Sequence, residues 1–498
     1  MCCISRIRQA QEEKTEICVP LFDLNLELNG INFIKEEERS GKPSSLFWPW
    51  CGANVSLLAL SFGAFFLGFG ISIAQASFAA LLGVVLSFLL VGVSSLAGKK
   101  SNAPTMTLSR AAFGVRGNFL PGLLSYLIFV GWETVLVSLA TLATETVLAR
   151  FGHIDHNLAR ILGFLVAVGL TVFGGVLGFH VIMKLQKWLT IVTGIMTLGY
   201  IALTFNHIDW SMVSSIHGGN LQAFIGAMIF GITGIGLGWV NSAADYSRYL
   251  PRTVSSRAVV GWTVFGSSLV PIILVIYGSL LAGSSKNLSE KIANDPIGAL
   301  TTLLPTWYLI PFAIVAVLGL IGGAILDLYS SGLALVSIGL PVRRHVAASI
   351  DAVIMLLGTI YIVWHASNFI GPFQGFLITL GVPIAVWSAV FVADVILRKR
   401  DYAESELFLP SGRYGSVNIR SIFLVLVGSM VGWGFVTNPF ASWLSWQGYF
   451  MGAIGGKEGP WAYANVGVIF ALIFGFVGHV LLSRNAIKEE ESTPIPLS

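Results

Sequence analysis

The chain has 498 residues, of which 55% are hydrophobic and only 11% are charged, and its formal net charge is +4. Soluble globular proteins carry about 25% charged residues, so this composition excludes a soluble fold. The 55 glycines agree with this, because glycine is more frequent in membrane-spanning helices than in soluble ones. The sequence therefore predicts an all-α integral membrane protein.

The first 40 residues are polar and lack the apolar core of a signal peptide, so we expect residues 1–46 to form a cytoplasmic tail. All four cysteines, Cys2, Cys3, Cys18 and Cys51, lie near this end and have no metal-ligand spacing. Cys2 and Cys3 could accept lipid, but an incidental pair in a tail is the stronger interpretation. A membrane domain is expected over 47–485, and a second cytoplasmic tail over 486–498.

Twelve apolar segments are long enough to span a bilayer, which takes about 20 residues per helix. They lie at 48–74, 77–97, 119–148, 161–179, 184–204, 221–245, 257–282, 308–338, 347–365, 370–397, 421–439 and 463–483. If the N-terminus is cytoplasmic, Lys and Arg concentrate in the cytoplasmic loops, as the positive-inside rule requires. The pattern predicts a multi-pass protein of the plasma membrane with both termini in the cytoplasm.

Two spans contain glycine runs that predict broken helices. The first span contains "LSFGAFFLGFG" and the sixth contains "GITGIGLGW". Glycine in a helix interior costs roughly 0.5–1 kcal/mol relative to alanine, and unwound backbone at membrane depth must line a cavity or be buried in protein. Broken spans at matching positions of two halves are typical of a transporter binding site. Their separation by five helices fits two inverted five-helix repeats followed by two further helices. The alternative is that these glycines only permit close helix packing.

The eighth span contains a carboxylate and two hydroxyls that helical spacing places on one face. These residues are Asp327, Ser330 and Ser331. Together with backbone near Ser61 and Ala64, they could bind a sodium ion, and a proton on Asp327 is the rival. The alternative for the serines is hydrogen bonding to the preceding turn. We expect no other metal.

The third and sixth spans place aromatic and polar groups at membrane depth. Trp132 and Glu133 lie at the centre of the third span, and Trp239 and Asn241 follow the glycine run of the sixth. Ionisable groups inside a membrane are functional candidates, so Glu133 is expected to accept hydrogen bonds from substrate N–H groups. With Asp327 and Gly63, these residues form the predicted substrate site. Structural hydrogen bonding by Glu133 and simple packing of the indoles are the alternatives.

Charged residues at the cytoplasmic ends of spans are expected to be structural. For Asp245, a local ion pair with Arg248 is favoured over ligand contact. Asp351 is expected to face a basic loop.

The sequence lacks the motifs of covalent catalysis in their required context, including GxSxG, HExxH, Walker and CxxC patterns. We therefore expect neither an enzyme nor a cofactor. We also expect no nucleic-acid partner, and the sequence does not define the oligomeric state.

Four stretches together resemble the nucleobase:cation symporter family 1, and within it the purine–cytosine permease branch. They are "NGINFIKEEERSGKPSSLFWPWCGANV", "SNAPTMTLSRAAFG", "GWETVL" and "GWVNSAADYSRYLP". The resemblance extends from about residue 30 to 485. It implies the leucine-transporter-like fold with inverted repeats, alternating access, and a substrate held at mid-membrane in contact with the lipid-embedded helices.

The resemblance also implies roles for single residues. Trp132 and Trp239 match two indoles that sandwich a planar base in this family, and Glu133 is the candidate to read the edge of the base. The eighth helix usually offers Asn where this chain has Asp327. The hydroxyls of Ser330 and Ser331 match the sodium-coupled pattern.

The implied function is import of cytosine or a purine by a secondary active symporter coupled to Na+ or H+. Two alternatives remain open. One is a transporter of the same fold for another nitrogen compound, such as allantoin, a hydantoin, thiamine or an amino acid. The other is a membrane receptor that binds its ligand without transporting it.

Overall fold

The computed structural model describes residues 30–150, 154–177, 179–294, 296–365, 370–439 and 442–492, and regular structure within these ranges is helical. Most of the predicted N-terminal tail, including Cys2, Cys3 and Cys18, lies outside the described residues, as do residues 493–498. The all-α expectation is confirmed for the described part of the chain.

The main helices follow one another through short connections. They are α1 Phe47–Asn54, α2 Leu58–Leu67, α3 Ile73–Lys99, α4 Phe119–Arg150, α5 His156–Leu177, α6 Phe179–Thr204, α7 Leu221–Gly231, α8 Ala243–Ser247, α9 Ser256–Gly283, α10 Leu309–Ser337, α11 Arg344–Trp364, α12 Ile370–Leu397, α13 Ile419–Gly434 and α14 Gly467–Ser492. Shorter helices lie in the connections at Thr105–Leu108, Arg110–Phe113, Trp210–Ser215, Lys286–Asn294 and Gly298–Thr301.

Within the described ranges, ten helical spans are long and apolar enough to cross a membrane, the segment from Leu221 to Ser247 counting as one of them. The helical stretches Pro43–Asn54 and Leu58–Leu67 pass the same test as a pair bent by 67°, and α13 is a shorter apolar helix. The chain is therefore a multi-pass membrane protein. The last helix continues to Ser492, beyond the boundary at 485 that the sequence suggested.

The first span breaks earlier than its glycine run. The backbone turns at residues 55–57, between α1 and α2, while Gly63 lies inside the regular helix α2. The hydroxyl of Ser56 accepts a hydrogen bond of 3.3 Å from the N–H of Leu58, which satisfies one of the unpaired donors at the start of α2. The expectation of a break near the glycines was wrong in position, because the polar Ser56 supplies the new helix start.

The sixth span breaks within its glycine run, as the sequence predicted. Helix α7 ends at Gly231, a wider π-type turn covers Ile232–Gly236, and a tighter 3-10 segment covers Leu237–Ser242 before α8 begins. Departures of this kind from α-helical hydrogen bonding are frequent at functional sites.

Helix α10 forms the centre of the bundle. Most of its side chains are buried, and it packs against α4, α5, α6 and α11. On the other side of the bundle, α9 packs against α2 and α3, and α12 packs against α14. Residues between α10 and the two broken spans are therefore positioned by a largely buried helix.

Close packing of α2 on α9 explains two glycines of these helices. A Cβ atom added at Gly63 would collide with the backbone at Ser279, and one added at Gly278 would collide with the backbone of Leu60. The glycine at position 63 therefore permits helix contact, which is the packing alternative raised for the glycine run.

We predict that Gly278→Ala lowers the thermal stability of the purified protein, because overpacking against backbone costs about 1–3 kcal/mol. Gly261→Ala, on the same helix with open space around its Cβ position, is the matched control and should leave stability unchanged or slightly raised. Thermal unfolding in detergent measures both, and equal melting temperatures for the two variants would contradict the packing argument.

Candidate functional site

A cavity of about 70 Å³ lies where the two broken spans meet α4 and α10. Its walls come from residues around the first break, from the distorted part of the sixth span, and from facing side chains of the two other helices. The lining includes Asn54, Ser56, Phe62, Trp132, Thr233, Gly234, Trp239 and Asp327. Two breaks in one region place unwound backbone beside the cavity, where it needs no bilayer contact.

The two indoles of this lining come from different elements. Trp132 is on α4, and a Cβ atom added at Gly238 would lie 3.5 Å from its Nε1, so Trp132 closely approaches the broken span. Trp239 is on the broken span itself. The fully buried ring of Trp50 supports it edge-on, with centroids 5.9 Å apart, and Trp50 also packs edge-on against Tyr246 at 5.4 Å. The cavity thus has two large aromatic surfaces, one of which is held in place from behind.

Polar groups on this lining are few. The Oδ2 atom of Asp327 is buried and has no hydrogen-bond partner among the described residues. The amide of Asn54 donates to the Trp50 carbonyl at 2.8 Å, and the hydroxyl of Ser56 is engaged with the start of α2. Because burying an unpaired carboxylate oxygen is costly, a ligand that donates a hydrogen bond to Asp327 would satisfy it.

A larger vestibule of about 950 Å³ lies next to this cavity and shares Thr233 and Gly234 with it. The rings of Phe62, on the cavity side, and Phe230, on the vestibule side, meet edge-on with centroids 5.6 Å apart. The vestibule is lined further out by polar side chains, among them Glu290. The Phe62–Phe230 ring pair and the shared residues Thr233 and Gly234 therefore lie between the central cavity and the vestibule.

The opposite end of the bundle is closed by hydrogen bonds around Asp245. Its Oδ1 accepts from both the N–H and the hydroxyl of Thr105 at 2.8 Å, and its Oδ2 accepts from the hydroxyl of Ser330 at 2.7 Å. Thr105 in turn accepts from the N–H of Ala244 at 2.9 Å. These bonds join α8, the segment after α3, and α10.

Arg248 also reaches across the bundle. Its guanidinium donates to the carbonyl of Gly30 at 3.0 Å and to the hydroxyl of Tyr329 at 3.1 Å. The buried carboxylate of Asp245 interacts electrostatically with Arg248 in addition to accepting hydrogen bonds from Thr105 and Ser330. Both charged residues fasten the end of the sixth span to its neighbours.

A charged network outside the helices seals the same end. Arg252 contacts Glu404 at 2.7 Å, Asp401 at 2.9 Å and Glu36 at 3.2 Å. Arg39, which is buried, donates to the carbonyl of Lys99 at 2.7 Å, to the carbonyl of Leu250, and to the side chain of Asn102. Residues 30–46 of the predicted tail are thus part of this closure.

The structure brings together three of the predicted substrate-site residues, Trp132, Trp239 and Asp327, on one cavity lining. The other three lie outside that lining. Glu133 and Asn241 are buried behind it, with no hydrogen-bond partner for their side chains among the described residues, and Gly63 faces α9.

The predicted ion-site residues do not meet at one point. The hydroxyl of Ser61 donates to the carbonyl of Pro296 at 2.6 Å, and Ala64 lines the outer vestibule. Ser330 donates to Asp245, while Ser331 lies between the Leu328 carbonyl and the carboxylate of Asp351. The two serines of α10 therefore donate to two different carboxylates.

Sequence reasoning missed several polar residues of this region. Asn54 and Ser56 lie two and four residues after Gly52, and these polar residues inside an apolar span were the available signal for the break. Asp351 was expected to face a basic loop, but it is fully buried against Ser331. Its position seven residues into α11 gave little indication of burial, because only the packing of α11 on α4 and α10 encloses it.

A sequence profile of permeases for cytosine/purines, uracil, thiamine and allantoin matches residues 33–452 of the chain. The chain belongs to this permease family. The expectation drawn from the sequence motifs, nucleobase:cation symporter family 1, is thereby confirmed.

Related proteins give the same assignment. A putative purine-cytosine permease of Bacillus subtilis (strain 168) is 26% identical over 411 residues, covering 81% of this chain and 87% of that protein. The cytosine permease of Escherichia coli (strain K12) is 26% identical over 379 residues, covering 74% and 80%. These relatives are permeases, which agrees with the expectation that the chain is not an enzyme.

The fold matches that of Mhp1, a nucleobase-cation-symport-1 family transporter solved in a closed conformation with bromovinylhydantoin bound. The two structures superpose with a TM-score of 0.67 over 95% of this chain and 99% of Mhp1, at 18% sequence identity. This member of the permease family therefore has an Mhp1-like fold.

We predict that Arg252→Ala loosens the closed end of the bundle. In a protein without its native cysteines, Ser101→Cys reports on this end, because Ser101 is fully buried beside Glu404. Loss of several partly exposed ion pairs, each worth about 0.2–1 kcal/mol, should raise the rate of maleimide labelling at least about threefold. Arg257→Ala, at an exposed position on the same end, is the control. Equal labelling rates in both variants would show that the network does not hold this end closed.

Proposed function

We propose that this permease is a secondary active symporter that imports a planar nucleobase, cytosine or a purine, by cation-coupled alternating access. The observation that carries the proposal is the cavity between the indoles of Trp132 and Trp239, with the unpartnered Asp327 oxygen beside them. A flat, polar-edged heterocycle suits such a site, because its faces can stack while its edge forms hydrogen bonds.

The energetics are consistent with a ligand of this class. Stacking of a base on an aromatic side chain is worth about 1–3 kcal/mol, so two indoles contribute about 2–6 kcal/mol. Micromolar binding needs about 8 kcal/mol, which leaves a remainder for hydrogen bonds along the edge of the base. Asp327 supplies the strongest acceptor on the lining.

Asp327 favours bases that carry an amino group. The exocyclic amine of cytosine or adenine is a donor that a carboxylate accepts, whereas the carbonyl groups of uracil are acceptors. The edge-reading role first assigned to Glu133 therefore moves to Asp327 in this proposal, because Asp327 lines the cavity and Glu133 lies behind it. Asn241 and Gly63 contribute to the proposed site indirectly, through the conformation and packing of the two broken spans.

The arrangement of openings supports alternating access. The vestibule lies next to the cavity across the Phe62–Phe230 ring pair, while the Asp245 and Arg252 networks close the other end. The positive-inside rule assigns the closed end to the cytoplasm, so we propose an outward-facing plasma-membrane state with both termini inside. In this proposal the membrane domain begins at Phe47, the first residue of α1, which is the boundary expected from the sequence.

Twelve spans and inverted repeats belong to the same proposal. The bent pair α1–α2 and the shorter helix α13 complete the set when each is counted as one span. Breaks in the first and sixth spans, five spans apart, support two inverted five-helix repeats followed by two C-terminal helices.

The coupling ion is Na+ or H+. The hydroxyls of Ser330 and Ser331 donate to two different carboxylates, and the Ser61 hydroxyl donates to the carbonyl of Pro296, so the predicted sodium ligands are directed to three separate partners. This arrangement favours the proton.

A second candidate function is transport of another nitrogen compound by the same fold. Its substrate would be a hydantoin, allantoin, thiamine or an amino acid. The hydantoin bound to Mhp1 and the compounds named for the permease family favour this candidate. A receptor without transport is the remaining alternative, and it predicts binding without accumulation. Competition against labelled cytosine by uracil, adenine, allantoin, hydantoin and thiamine separates the substrates.

We predict that Trp239→Ala weakens binding of labelled cytosine by about tenfold or more, because loss of one stacking surface removes about 1–3 kcal/mol. Trp239→Phe should retain part of the affinity. Trp262→Ala, which removes an indole that is 38% exposed on α9, is the matched control. Scintillation proximity binding to the purified protein measures all three, and unchanged binding in Trp239→Ala would exclude the stacking site.

We predict that Asp327→Asn reduces selectivity for amino-bearing bases. A hydrogen bond to a charged group is worth about 1.5–3 kcal/mol, so affinity for cytosine relative to uracil should fall by about tenfold or more. Asp209→Asn, an exposed helix-capping position, serves as the control. A cytosine-to-uracil ratio that stays the same would remove Asp327 from substrate recognition.

A further inference from the structure

A pair of buried carboxyl groups lies behind the cavity and has no role in the site described above. Glu133 on α4 is fully buried, and neither of its carboxyl oxygens has a hydrogen-bond partner among the described residues. Asp351 on α11 is also fully buried, and its Oδ1 lacks a partner in the same way. The two side chains face each other at close range between α4 and α11.

The charged and titratable groups around this pair are acidic or neutral. Glu133 faces Asp351 and, from α10, Asp327, while Asp351 faces Glu133, the Ser331 hydroxyl and Tyr126. The arginine nearest in sequence to Asp351, Arg344, donates hydrogen bonds to the carbonyls of Gly175 and Val176 on α5.

Two adjacent carboxylates in such surroundings cannot both be ionised. Removing one charge from water without a partner is already costly, and a second like charge beside it adds repulsion at low dielectric. One proton held between the two groups removes one charge and supplies the hydrogen-bond donor that the unpaired oxygens lack. The unpartnered oxygens of Glu133 thus point to a proton as the ligand of this site.

The position of the pair connects the cavity to the closed end. At 1.5 Å per residue, Asp351 and Tyr126 each lie about 10 Å from the start of their helices at that end. Glu133 lies about 10 Å deeper along α4 than Tyr126, in the region of Asp327. Tyr126 retains 9% of its surface exposed. The four groups form a series from the cavity lining towards the closed end.

We propose that Glu133 and Asp351 share the coupling proton of this transporter, with Asp327 as its entry from the cavity and Tyr126 at its exit. One proton from the outer solution binds the pair before the substrate is carried inward. The proton leaves to the cytoplasm once the closed end opens and water reaches Asp351, which restores the carboxylate. The inference rests on the proposed transport function for its role in coupling, but the presence of the proton can be tested separately.

Infrared spectroscopy of the purified protein tests the proton directly. A protonated carboxyl group has a C=O stretching band that a carboxylate lacks. We expect this band at neutral pH in the unaltered protein and a smaller band in Glu133→Gln, because Asp351 then ionises without its acidic neighbour. Glu145→Gln, on the same helix but paired with Arg160 at 2.7 Å, should leave the band unchanged. Identical bands in all three proteins would overturn the proposal.

Transport by reconstituted protein tests the coupling role. Exchange of labelled for unlabelled cytosine across the liposome membrane needs no net proton movement, so Glu133→Gln and Asp351→Asn, which imitate the protonated state, should retain it within about threefold. Accumulation driven by an inward proton gradient should fall about tenfold or more, the effect of about 1.4 kcal/mol. Glu145→Gln should behave like the unaltered protein in both assays.

The outcomes separate this inference from the function it rests on. Absence of cytosine exchange in the unaltered protein would refute the proposed function, while the infrared result still decides whether the pair holds a proton. Exchange with accumulation driven by sodium alone would refute the coupling role only. Proton-driven accumulation that persists in both variants would also refute the coupling role. Loss of exchange in both variants, although they fold, would refute it too.

Discussion

The structure depends on one constraint: polar groups and unwound backbone inside a bilayer must be enclosed by protein. Both broken spans meet this constraint at the same place, because the turn at residues 55–57 and the distorted segment 232–242 face each other across a small cavity. The central helix α10 closes the remaining side and contributes Asp327. The site is therefore a consequence of where the helices break.

The same helices that shape the cavity also control its access. Trp239 lines the cavity, and a few residues later Asp245 and Arg248 fasten the span to Thr105, Ser330 and Tyr329. A rearrangement of the sixth span that opens the closed end must break these bonds and move the indole. In the proposed mechanism, substrate binding and opening are therefore joined through this one short segment.

The fold class and most spans were predictable from the sequence, since hydropathy and loop charge follow directly from the cost of burying charge in lipid. The indoles and Asp327 were also predictable as a group, because large aromatic and ionisable residues are rare at membrane depth. The position of the first break was not, since glycine at position 63 serves packing on α9 and Ser56 starts the new helix. The surroundings of Asp351 depend on tertiary packing between α4, α10 and α11, which one sequence does not specify.

Uphill accumulation of labelled cytosine in liposomes containing only this protein tests the central claim most directly. With an inward cation gradient imposed, the account predicts an internal concentration above the external one, lost when the gradient is dissipated and reduced by excess unlabelled adenine. Cytosine that binds the protein but never exceeds its external concentration under proton or sodium gradients would contradict the account.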